Sequence, residues 1–224
     1  MRNLIIKNPW GGLGDHLFMS HLPRAAKESG EFDKVFISKL SIYLNPETKH
    51  LVWELNPHVD GFTDEDMIYP MFGEVPEGKN ILDVVSDFYR VPILGGCFQE
   101  PEIYYKPKCI PELKDAVILD YNSFSGKGIP SSESIKAYFK SVGVGITHQM
   151  SPLHPKYENF NYTKVKANGL ENLCDIIYSC KAFFSMLTGS TTLAAAIRKP
   201  TTVLYIDGAL PMFRHSKLHT YIHL

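Results

Sequence analysis

The sequence predicts an α/β protein with parallel β-sheets, and three observations lead to that prediction. Apolar runs alternate with helical patterns from residue 116 to residue 206, which is typical of βα units. Another apolar run, near the N-terminus, leads into a glycine turn and then a helical pattern. Residues 91–114 carry four prolines and no clear period, so we interpret them as a linker or crossover. The length of 224 residues suits one large domain or two compact ones.

The N-terminal part is predicted to begin with a buried strand at residues 4–6, which enters the turn GGLGD. Apolar residues at helical spacing follow as far as Gly30, and Pro23 predicts a kink or a break in that helix. A second strand is predicted at residues 34–40. Residues 80–88 fit either a strand or a short helix, and the pattern between these two segments assigns no structure.

The C-terminal part has a more regular rhythm, in which polar loops separate strands from amphipathic helices. The last twelve residues, FRHSKLHTYIHL, are interpreted as a terminal amphipathic helix. The predicted strands are residues 116–121, 143–147, 182–187 and 201–206, and the predicted helices are ESIKAYFKSV, residues 170–180 and GSTTLAAAIRK.

The bulk composition excludes several classes of protein. A net charge of −1 gives no basic surplus for nucleic acid, and no apolar stretch approaches a membrane span. The N-terminal apolar run is too short for a secretion signal, which leaves only peripheral contact with a membrane open. The four cysteines form no C-x-x-C pair, which argues against a zinc site and a disulfide framework. We therefore expect a cytoplasmic protein with reduced, mostly buried thiols and no metal.

The first candidate site is the glycine turn itself. Gly11, Gly12 and Gly14 allow the backbone to approach a ligand closely at the start of a helix. Asp15 is interpreted either as a general base for a hydroxyl or as a plain N-cap. His16 has the same two alternatives, a base or a structural residue. GGLG lacks the third glycine of G-x-G-x-x-G, so it is a weak dinucleotide signal.

The second candidate site is the segment Thr188, Gly189, Ser190, Thr191 and Thr192, which follows a predicted buried strand and starts a helix. Hydroxyls and a glycine at a helix N-terminus suit a phosphate group. The alternative is a Ser/Thr N-cap on a tightly packed helix. No G-K-[ST] follows, so the segment is not a Walker-type phosphate loop.

The third candidate site is NSFSGKG, which also follows a strand directly. Ser123, Ser125 and Lys127 could reach a diphosphate there, with Lys127 as a mobile point charge. The alternative is a flexible polar turn. Asp64, Glu65 and Asp66 are interpreted as a solvated face of the protein.

Three segments in this order resemble glycosyltransferase family 9, the ADP-heptose:lipopolysaccharide heptosyltransferases. They are GGLGDHLFMSHLPRAAKE, AVILDYNSFSGKG and GLENLCDIIYSCKAFFSMLTGSTTLAAAIRKPTTVLY. The resemblance implies a GT-B-like fold, in which two Rossmann-like domains with parallel sheets face each other across a cleft. Residues 1–110 would form a shortened acceptor-side domain, and residues 111–224 would form the nucleotide-sugar-binding domain.

The resemblance also implies roles for individual residues. Asp15 matches the catalytic base of the family, and Ser123 and Lys127 approximately match residues that contact the donor phosphates. Gly189 matches the glycine of the phosphate-binding turn, and Glu171 lies near the position that meets the donor ribose. The chain departs from the pattern Asp-Ser/Thr-Gly-x-x-His at both ends. Leu187 replaces the Asp and Thr192 replaces the His, which puts ADP-heptose as the donor in doubt.

The implied function is inverting transfer of a sugar, without metal or cofactor, from a nucleotide-diphosphate donor to a hydroxyl acceptor. The acceptor would be a cell-surface glycan, a related glycan or a lipid-linked molecule. GGLGD also resembles the GGLGN opening of GDP-fucose-dependent fucosyltransferases, which gives a second enzymatic interpretation. A nucleotide-sugar-binding protein without catalysis is the non-enzymatic alternative. A nucleotide-sugar epimerase or small hydrolase is a further alternative, although the chain has no G-x-S-x-G elbow.

Overall fold

The computed structural model describes residues 2–68, 74–93, 95–123, 128–157, 160–209 and 213–224. The chain divides into two compact units, Met1–Lys106 and Pro107–Leu224. Each unit contains one parallel sheet, so the predicted α/β class is confirmed. The division falls inside the proline-rich stretch, while the roles predicted for the two domains stay predictions.

The first unit contains a three-stranded parallel sheet in the order β1-β2-β3. The chain crosses from β1 to β2 through two short helices, and Pro23 lies in the first turn of the second. The predicted break in this helical segment is therefore confirmed. Gly30 ends the second helix with a left-handed φ of 70°. The elements are β1 (Arg2–Ile6), α1 (Leu13–Leu17), α2 (Leu22–Ser29), β2 (Phe32–Ser38) and β3 (Gly61–Thr63).

Two further helical segments belong to this unit. A π-helix spans Lys49–Glu54 and buries Leu51, Val52 and Trp53. The ambiguous residues 80–88 form a helix, α3 (Ile81–Tyr89), because Asn80 and Asp83 make a reciprocal capping box at its start.

The second unit contains a six-stranded parallel sheet. Numbered within the unit, its strands run in the order 3-2-1-4-5-6, which is the Rossmann order. The order reverses between β4 and β7, and ligands of such sheets bind at the carboxyl ends of the strands beside this switch point. The strands are β4 (Val117–Asp120), β5 (His148–Met150), β6 (Thr163–Val165), β7 (Ala182–Ser185), β8 (Thr202–Tyr205) and β9 (Thr220–His223).

Three helices pack on this sheet: α4 (Ser132–Ser141), α5 (Leu170–Ser179) and α6 (Gly189–Ala196). Small side chains of α6, including Ala194 and Ala195, are fully buried, so this helix lies close to the strands. Aromatic side chains fill much of the core beside the sheet, and the Phe139 and Phe184 rings meet edge to face at 5.0 Å.

Two predicted elements are wrong. The strand predicted at residues 143–147 is a return loop, because Gly143 adopts a φ of 66° after α4 and the strand begins at His148. The C-terminal segment contains a strand instead of an amphipathic helix. Pairing of Thr220–His223 with the exposed edge of β8 satisfies backbone groups that a helix there would leave open.

Two predictions from composition have mixed outcomes. Cys174 and Cys180 are buried free thiols, whereas Cys97 and Cys109 are exposed, so only half of the cysteines are buried as predicted. None of the helices in the described ranges combines the length and the apolar character needed to cross a membrane.

We expect Asp83→Ala to lower the free energy of unfolding by about 3 kcal/mol, because three backbone N–H groups lose their acceptor. These groups belong to Asn80, Phe98 and Gln99, and Phe98 holds a left-handed φ of 71°. Urea unfolding followed by circular dichroism measures the change. The control is Asp87→Ala on the same helix, whose carboxylate is exposed and whose loss should leave stability nearly unchanged.

Candidate functional site

The glycine turn at the end of β1 is shaped by a buried asparagine. The Asn8 side-chain oxygen accepts hydrogen bonds from the backbone N–H groups of Trp10 (2.9 Å) and Gly11 (3.1 Å). Gly11 has a φ of 77°, and a Cβ there would lie 2.8 Å from Ile42 Cγ2 and 3.1 Å from Ile42 O. A glycine is therefore required at position 11, both for its backbone angle and for the close approach of the segment after β2.

Asp15 lies at the third position of α1, so the alternative in which it is the N-cap residue is wrong. The N-cap is Gly12, and Asp15 Oδ2 accepts a hydrogen bond from its backbone N–H at 3.2 Å. A Cβ on Gly12 would lie 2.6 Å from this oxygen, so the glycine makes room for the carboxylate. The Asp15 side chain is half-buried, and the loss of solvent around its carboxylate raises the pKa of Asp15.

A second capping box in the same unit contains a carboxylate whose hydrogen bonds are all structural, and it can be compared with Asp15. Asp83 occupies the same position in α3, is completely buried, and accepts hydrogen bonds from three backbone N–H groups. In the described part of the chain, the Asp15 carboxylate accepts one, from Gly12. Asp15 therefore keeps accepting capacity for a ligand that Asp83 has used within the protein.

His16 is buried and held at both ring nitrogens. Nε2 donates to the Ile42 carbonyl oxygen at 2.8 Å, and Nδ1 accepts from Trp53 Nε1 at 2.9 Å. These bonds fix a neutral tautomer, and burial lowers the pKa of His16 to about 4. The Tyr43 ring stacks on the imidazole with a centroid distance of 4.6 Å. This geometry favours the structural alternative for His16, because no ring nitrogen is left to serve as a base.

At the switch point of the second sheet, a carboxylate at the end of β4 bonds to the helix that follows the neighbouring strand β7. Asp120 and Ser185 are the last residues of β4 and β7 and lie in register with each other. Ser190, in the first turn of α6, donates its hydroxyl to Asp120 Oδ2 at 2.6 Å. Asp120 is 6% exposed, and burial raises its pKa. Sequence analysis did not single out Asp120. The signal that could have identified it is the position of a charged residue at the end of the buried run AVILD.

Most of the hydroxyl groups predicted to bind the nucleotide-sugar donor make hydrogen bonds within the protein. Thr191 Oγ1 donates to Ser185 Oγ (3.2 Å) and to the Met186 carbonyl, and Thr192 Oγ1 donates to the Thr188 carbonyl (3.4 Å). Both side chains are almost completely buried. They therefore anchor the start of α6 and do not present side-chain donors to a ligand.

Thr188 is the N-cap residue of α6, but its side chain accepts no capping hydrogen bond. The half-buried Thr188 hydroxyl instead contacts Ser190 Oγ at 2.7 Å. The first amides of α6, those of Gly189 and Ser190, have no intrahelical acceptor because of their position. The start of α6 can therefore offer backbone N–H groups to an anion at the switch point.

The remaining predicted residues are spread over neighbouring loops. Ser123 lies three residues after β4, and its carbonyl oxygen accepts a hydrogen bond from the Tyr157 hydroxyl at 2.6 Å. Glu171 lies in the first turn of α5. Lys127 and Ser125 lie outside the described residues, so the predicted contact of Lys127 stays a prediction. Gly14 lies within α1.

Residues 64–66, Asp-Glu-Asp, have the D-x-D spacing of a metal-binding motif. Asp64 pairs with Lys39 at 2.8 Å, and Asp66 pairs with Lys7. The side chains of Asp64 and Asp66 are 84% and 64% exposed, respectively. Their two separate lysine partners favour the predicted solvated face.

Comparison with known proteins gives structural relatives only. No protein family model matches the sequence, and no curated protein matches it. A family 9 glycosyl transferase from Veillonella parvula aligns with a TM-score of 0.63 and 10% identity, over 100% of this chain and 85% of its own. The heptosyltransferase TibC of enterotoxigenic E. coli, in complex with ADP-D-beta-D-heptose, aligns with a TM-score of 0.66 and 14% identity. The alignment with TibC covers 98% of this chain and 62% of TibC.

A third structure, the E. coli heptosyltransferase WaaC with ADP, aligns with a TM-score of 0.60 and 11% identity over 100% of this chain and 93% of WaaC. The chain has the fold of the family 9 glycosyltransferases. The resemblance drawn from the three sequence segments is thereby confirmed at the level of the fold. At identities of 10–14% the comparison leaves donor, acceptor and residue roles to be proposed.

We expect Gly11→Ala to destabilise the protein more than Gly30→Ala. Both glycines have a φ near 70°, but a Cβ at Gly30 meets nothing within 4 Å, whereas one at Gly11 overlaps Ile42. The Gly30 change should cost about 1 kcal/mol from backbone strain, and the Gly11 change roughly 2 kcal/mol more from overpacking. Urea unfolding of both variants measures this difference. Equal losses would mean that Ile42 moves away without cost.

Proposed function

We propose that this protein is an inverting glycosyltransferase that moves a sugar from a nucleoside-diphosphate donor to a hydroxyl acceptor without a metal. The observation that carries the proposal is the switch point of a Rossmann-ordered sheet beside the open N-terminus of α6. This combination suits a diphosphate, because backbone N–H groups and the helix dipole both favour negative charge. The likeness to structures titled as complexes with ADP and ADP-D-beta-D-heptose supports the same donor class.

In the proposed donor site, the backbone at Gly189 and Ser190 and the hydroxyl of Thr188 meet the diphosphate. Ser123 and Lys127 assist from the loop after β4, and Glu171 contacts the donor ribose. These groups stabilise the charge that the diphosphate gains as it leaves, which is the task a metal would otherwise perform.

Asp15 is the proposed general base. Its carboxylate takes the proton of the acceptor hydroxyl as the oxygen forms a bond to the anomeric carbon. The bond between that carbon and the diphosphate oxygen breaks, and the diphosphate leaves with the electron pair. Attack opposite the leaving group inverts the anomeric centre. The raised pKa of Asp15 suits this role, because a more basic carboxylate accepts a proton more readily.

The surroundings of the glycine turn support an acceptor with an apolar portion. Leu40, Ile42 and Leu44 follow β2 and are 51%, 49% and 60% exposed. The same segment bonds to the turn, since Leu44 N donates to Gly11 O at 3.0 Å. Aliphatic side chains next to the proposed base favour a lipid-linked glycan over a free sugar. We place the reaction in the cytoplasm because the described cysteines are all free thiols.

A second candidate, nucleotide-sugar binding without transfer, is favoured by the two departures from the family pattern. Leu187 and Thr192 stand where the family has Asp and His, and Thr192 is buried. A GDP-sugar donor remains the alternative for the enzyme. Separate measurements of nucleotide binding and of sugar transfer distinguish the binding protein from the enzyme and identify the nucleotide of the donor.

We expect one class of nucleoside diphosphate to raise the melting temperature without magnesium, because a ligand that binds only the folded state stabilises it. The measurement is a thermal-shift panel of ADP, GDP, UDP and CMP, with and without magnesium. The nucleotide that stabilises the protein identifies the class of sugar donor. If no nucleotide shifts the melting transition at roughly millimolar concentration, at which even weak sites are occupied, the proposal of a donor site is wrong. A shift that requires magnesium would contradict metal-free binding.

We expect Asp15→Asn to abolish transfer while nucleotide binding is kept. Asn can still accept from Gly12 N–H, so the helix start is preserved. Because the folded-state pKa of Asp15 is raised, its stabilising contribution is lost as pH rises through that pKa, and the variant should melt at the same or a higher temperature at pH 7. The acid limb of the wild-type kcat/KM profile should lie above pH 3.8, the ordinary pKa of the group.

The control for this variant is Asp83→Asn, which alters the other capping box and should destabilise the protein without removing transfer from the folded fraction. Radiolabelled or fluorescent donor turnover measures transfer, and anomeric proton coupling in the product measures the stereochemistry. Full transfer by Asp15→Asn, or a product with retained configuration, would contradict the proposed mechanism. Nucleotide binding by a wild type that transfers no sugar would favour the binding protein.

A further inference from the structure

We infer that Asp120 is a positioning residue of the donor site, which sets through Ser190 whether the Thr188 hydroxyl faces the diphosphate as a donor or as an acceptor. The inference rests on the proposed function, since it concerns how that site receives a diphosphate. It adds a residue from the end of β4 that none of the sequence motifs contains.

The inference rests on a hydroxyl chain, a series of three hydrogen-bonded oxygen atoms from Asp120, Ser190 and Thr188. Asp120 Oδ2 lies 2.6 Å from Ser190 Oγ, and Ser190 Oγ lies 2.7 Å from Thr188 Oγ1. The exposure of these residues increases along the chain, from 6% for Asp120 and 8% for Ser190 to a half-buried Thr188. The buried carboxylate is therefore connected to the surface of the site by two short hydrogen bonds.

Counting protons gives the direction of these bonds when Asp120 is ionised. A carboxylate only accepts, so Ser190 must donate its single proton to Asp120. Ser190 can then only accept from Thr188, which spends its own proton on that bond. The Thr188 oxygen is left with lone pairs alone for a ligand, and phosphate oxygens, which are also acceptors, are disfavoured there.

Protonation of Asp120 reverses every bond in the chain. The carboxylic acid donates to Ser190 Oγ, and Ser190 turns its proton to Thr188 Oγ1, which at 2.7 Å is a much closer acceptor than Ser185 Oγ at 3.3 Å. The Thr188 proton is then free to donate to a phosphate oxygen. The same proton removes a negative charge from beneath the site, so both effects favour the diphosphate.

The surroundings of Asp120 supply no cation to hold it ionised among the described residues. Its other contacts are the backbone N–H (3.1 Å) and side-chain amide (2.9 Å) of Asn122, which both donate to Oδ1. Burial outweighs these hydrogen bonds and raises the pKa of Asp120. Titratable groups on the elements around it include His148 at the start of β5, Tyr121 after β4, Tyr157 at the end of a short 3-10 helix, Glu133 at the start of α4, and His219, which bonds to the Thr191 carbonyl.

Diphosphate binding should therefore be accompanied by proton uptake at Asp120. Above the pKa of the free site, the affinity of wild type should fall by up to tenfold for each pH unit. Asp120→Asn should remove this dependence. The Asn side chain can keep Oδ1 as the acceptor for Asn122 and donate from Nδ2 to Ser190, which fixes the chain in the direction that favours binding.

The experiment is isothermal titration of the full-length protein with the nucleoside diphosphate selected by the thermal-shift panel. Titrations at pH 6, 7 and 8 in buffers of different ionisation enthalpy give both Kd and the number of protons taken up. We expect Asp120→Asn to take up fewer protons than wild type and to bind roughly tenfold more tightly at pH 8. Titration of the ligand itself is common to both proteins and cancels in the comparison.

A double-mutant cycle separates the hydroxyl chain from charge repulsion alone. In a Thr188→Val background, the gain in affinity from Asp120→Asn should shrink to the part that comes from removing the negative charge, because no outward hydroxyl remains to be turned. Thr188→Val alone should also take up fewer protons than wild type, which keeps the test valid if Asp120→Asn folds poorly. The matched control is Asp175→Asn, which alters a buried carboxylate of α5 that accepts from Lys108 N and should leave proton uptake unchanged.

The outcomes distinguish the two proposals. If wild type and Asp120→Asn bind the nucleotide with the same pH dependence, the role of Asp120 is overturned and the donor site stands. If the gain from Asp120→Asn is undiminished in the Thr188→Val background, the hydroxyl chain is overturned. If neither protein binds any nucleoside diphosphate, the proposed function fails and this inference fails with it.

Discussion

The hydrogen bond between Ser190 and Asp120 is the interaction on which the candidate donor site depends. It connects the first turn of α6 to the end of β4, at the point where the order of strands in the sheet reverses. It adds a link between side chains to the backbone pairing of β4 with β7. The small, buried side chains of α6 then keep this helix close to the sheet, so its free amides stay at the carboxyl edge.

Both candidate carboxylates have environments that cost stability at neutral pH. Burial raises the pKa of Asp15 and of Asp120, so each is harder to ionise in the folded protein than in the unfolded chain. Asp83 shows that the same chain can saturate a buried carboxylate with backbone donors when only structure is required. Asp15 keeps an accessible carboxylate that a substrate could reach, whereas Asp120 is buried and could act only through Ser190.

Sequence patterns predicted most strands and helices, because short apolar runs and glycine stops act locally. These patterns failed where a contact with a distant part of the chain determines the secondary structure. Thr220–His223, for example, forms a strand because it pairs with the edge of β8. The glycine context singled out Asp15 as a candidate, whereas the sequence marked Asp120 only as a charged residue at the end of a buried run. Its hydrogen-bond partner Ser190 lies 70 residues further along the chain, so the sequence does not show the pair. The hydroxyls of Thr191 and Thr192 looked like ligand groups because a sequence does not show which side of a helix is buried.

The Rossmann order also determines when the donor site can form during folding. β4 and β7 are adjacent in the sheet, yet β5, β6 and two helices lie between them in the chain. Their pairing closes a long loop, and such non-local contacts form slowly because the entropy of loop closure is lost first. The glycine turn follows β1 directly and involves contacts at shorter range. On a ribosome, the proposed base would therefore be in place well before the site for the donor exists.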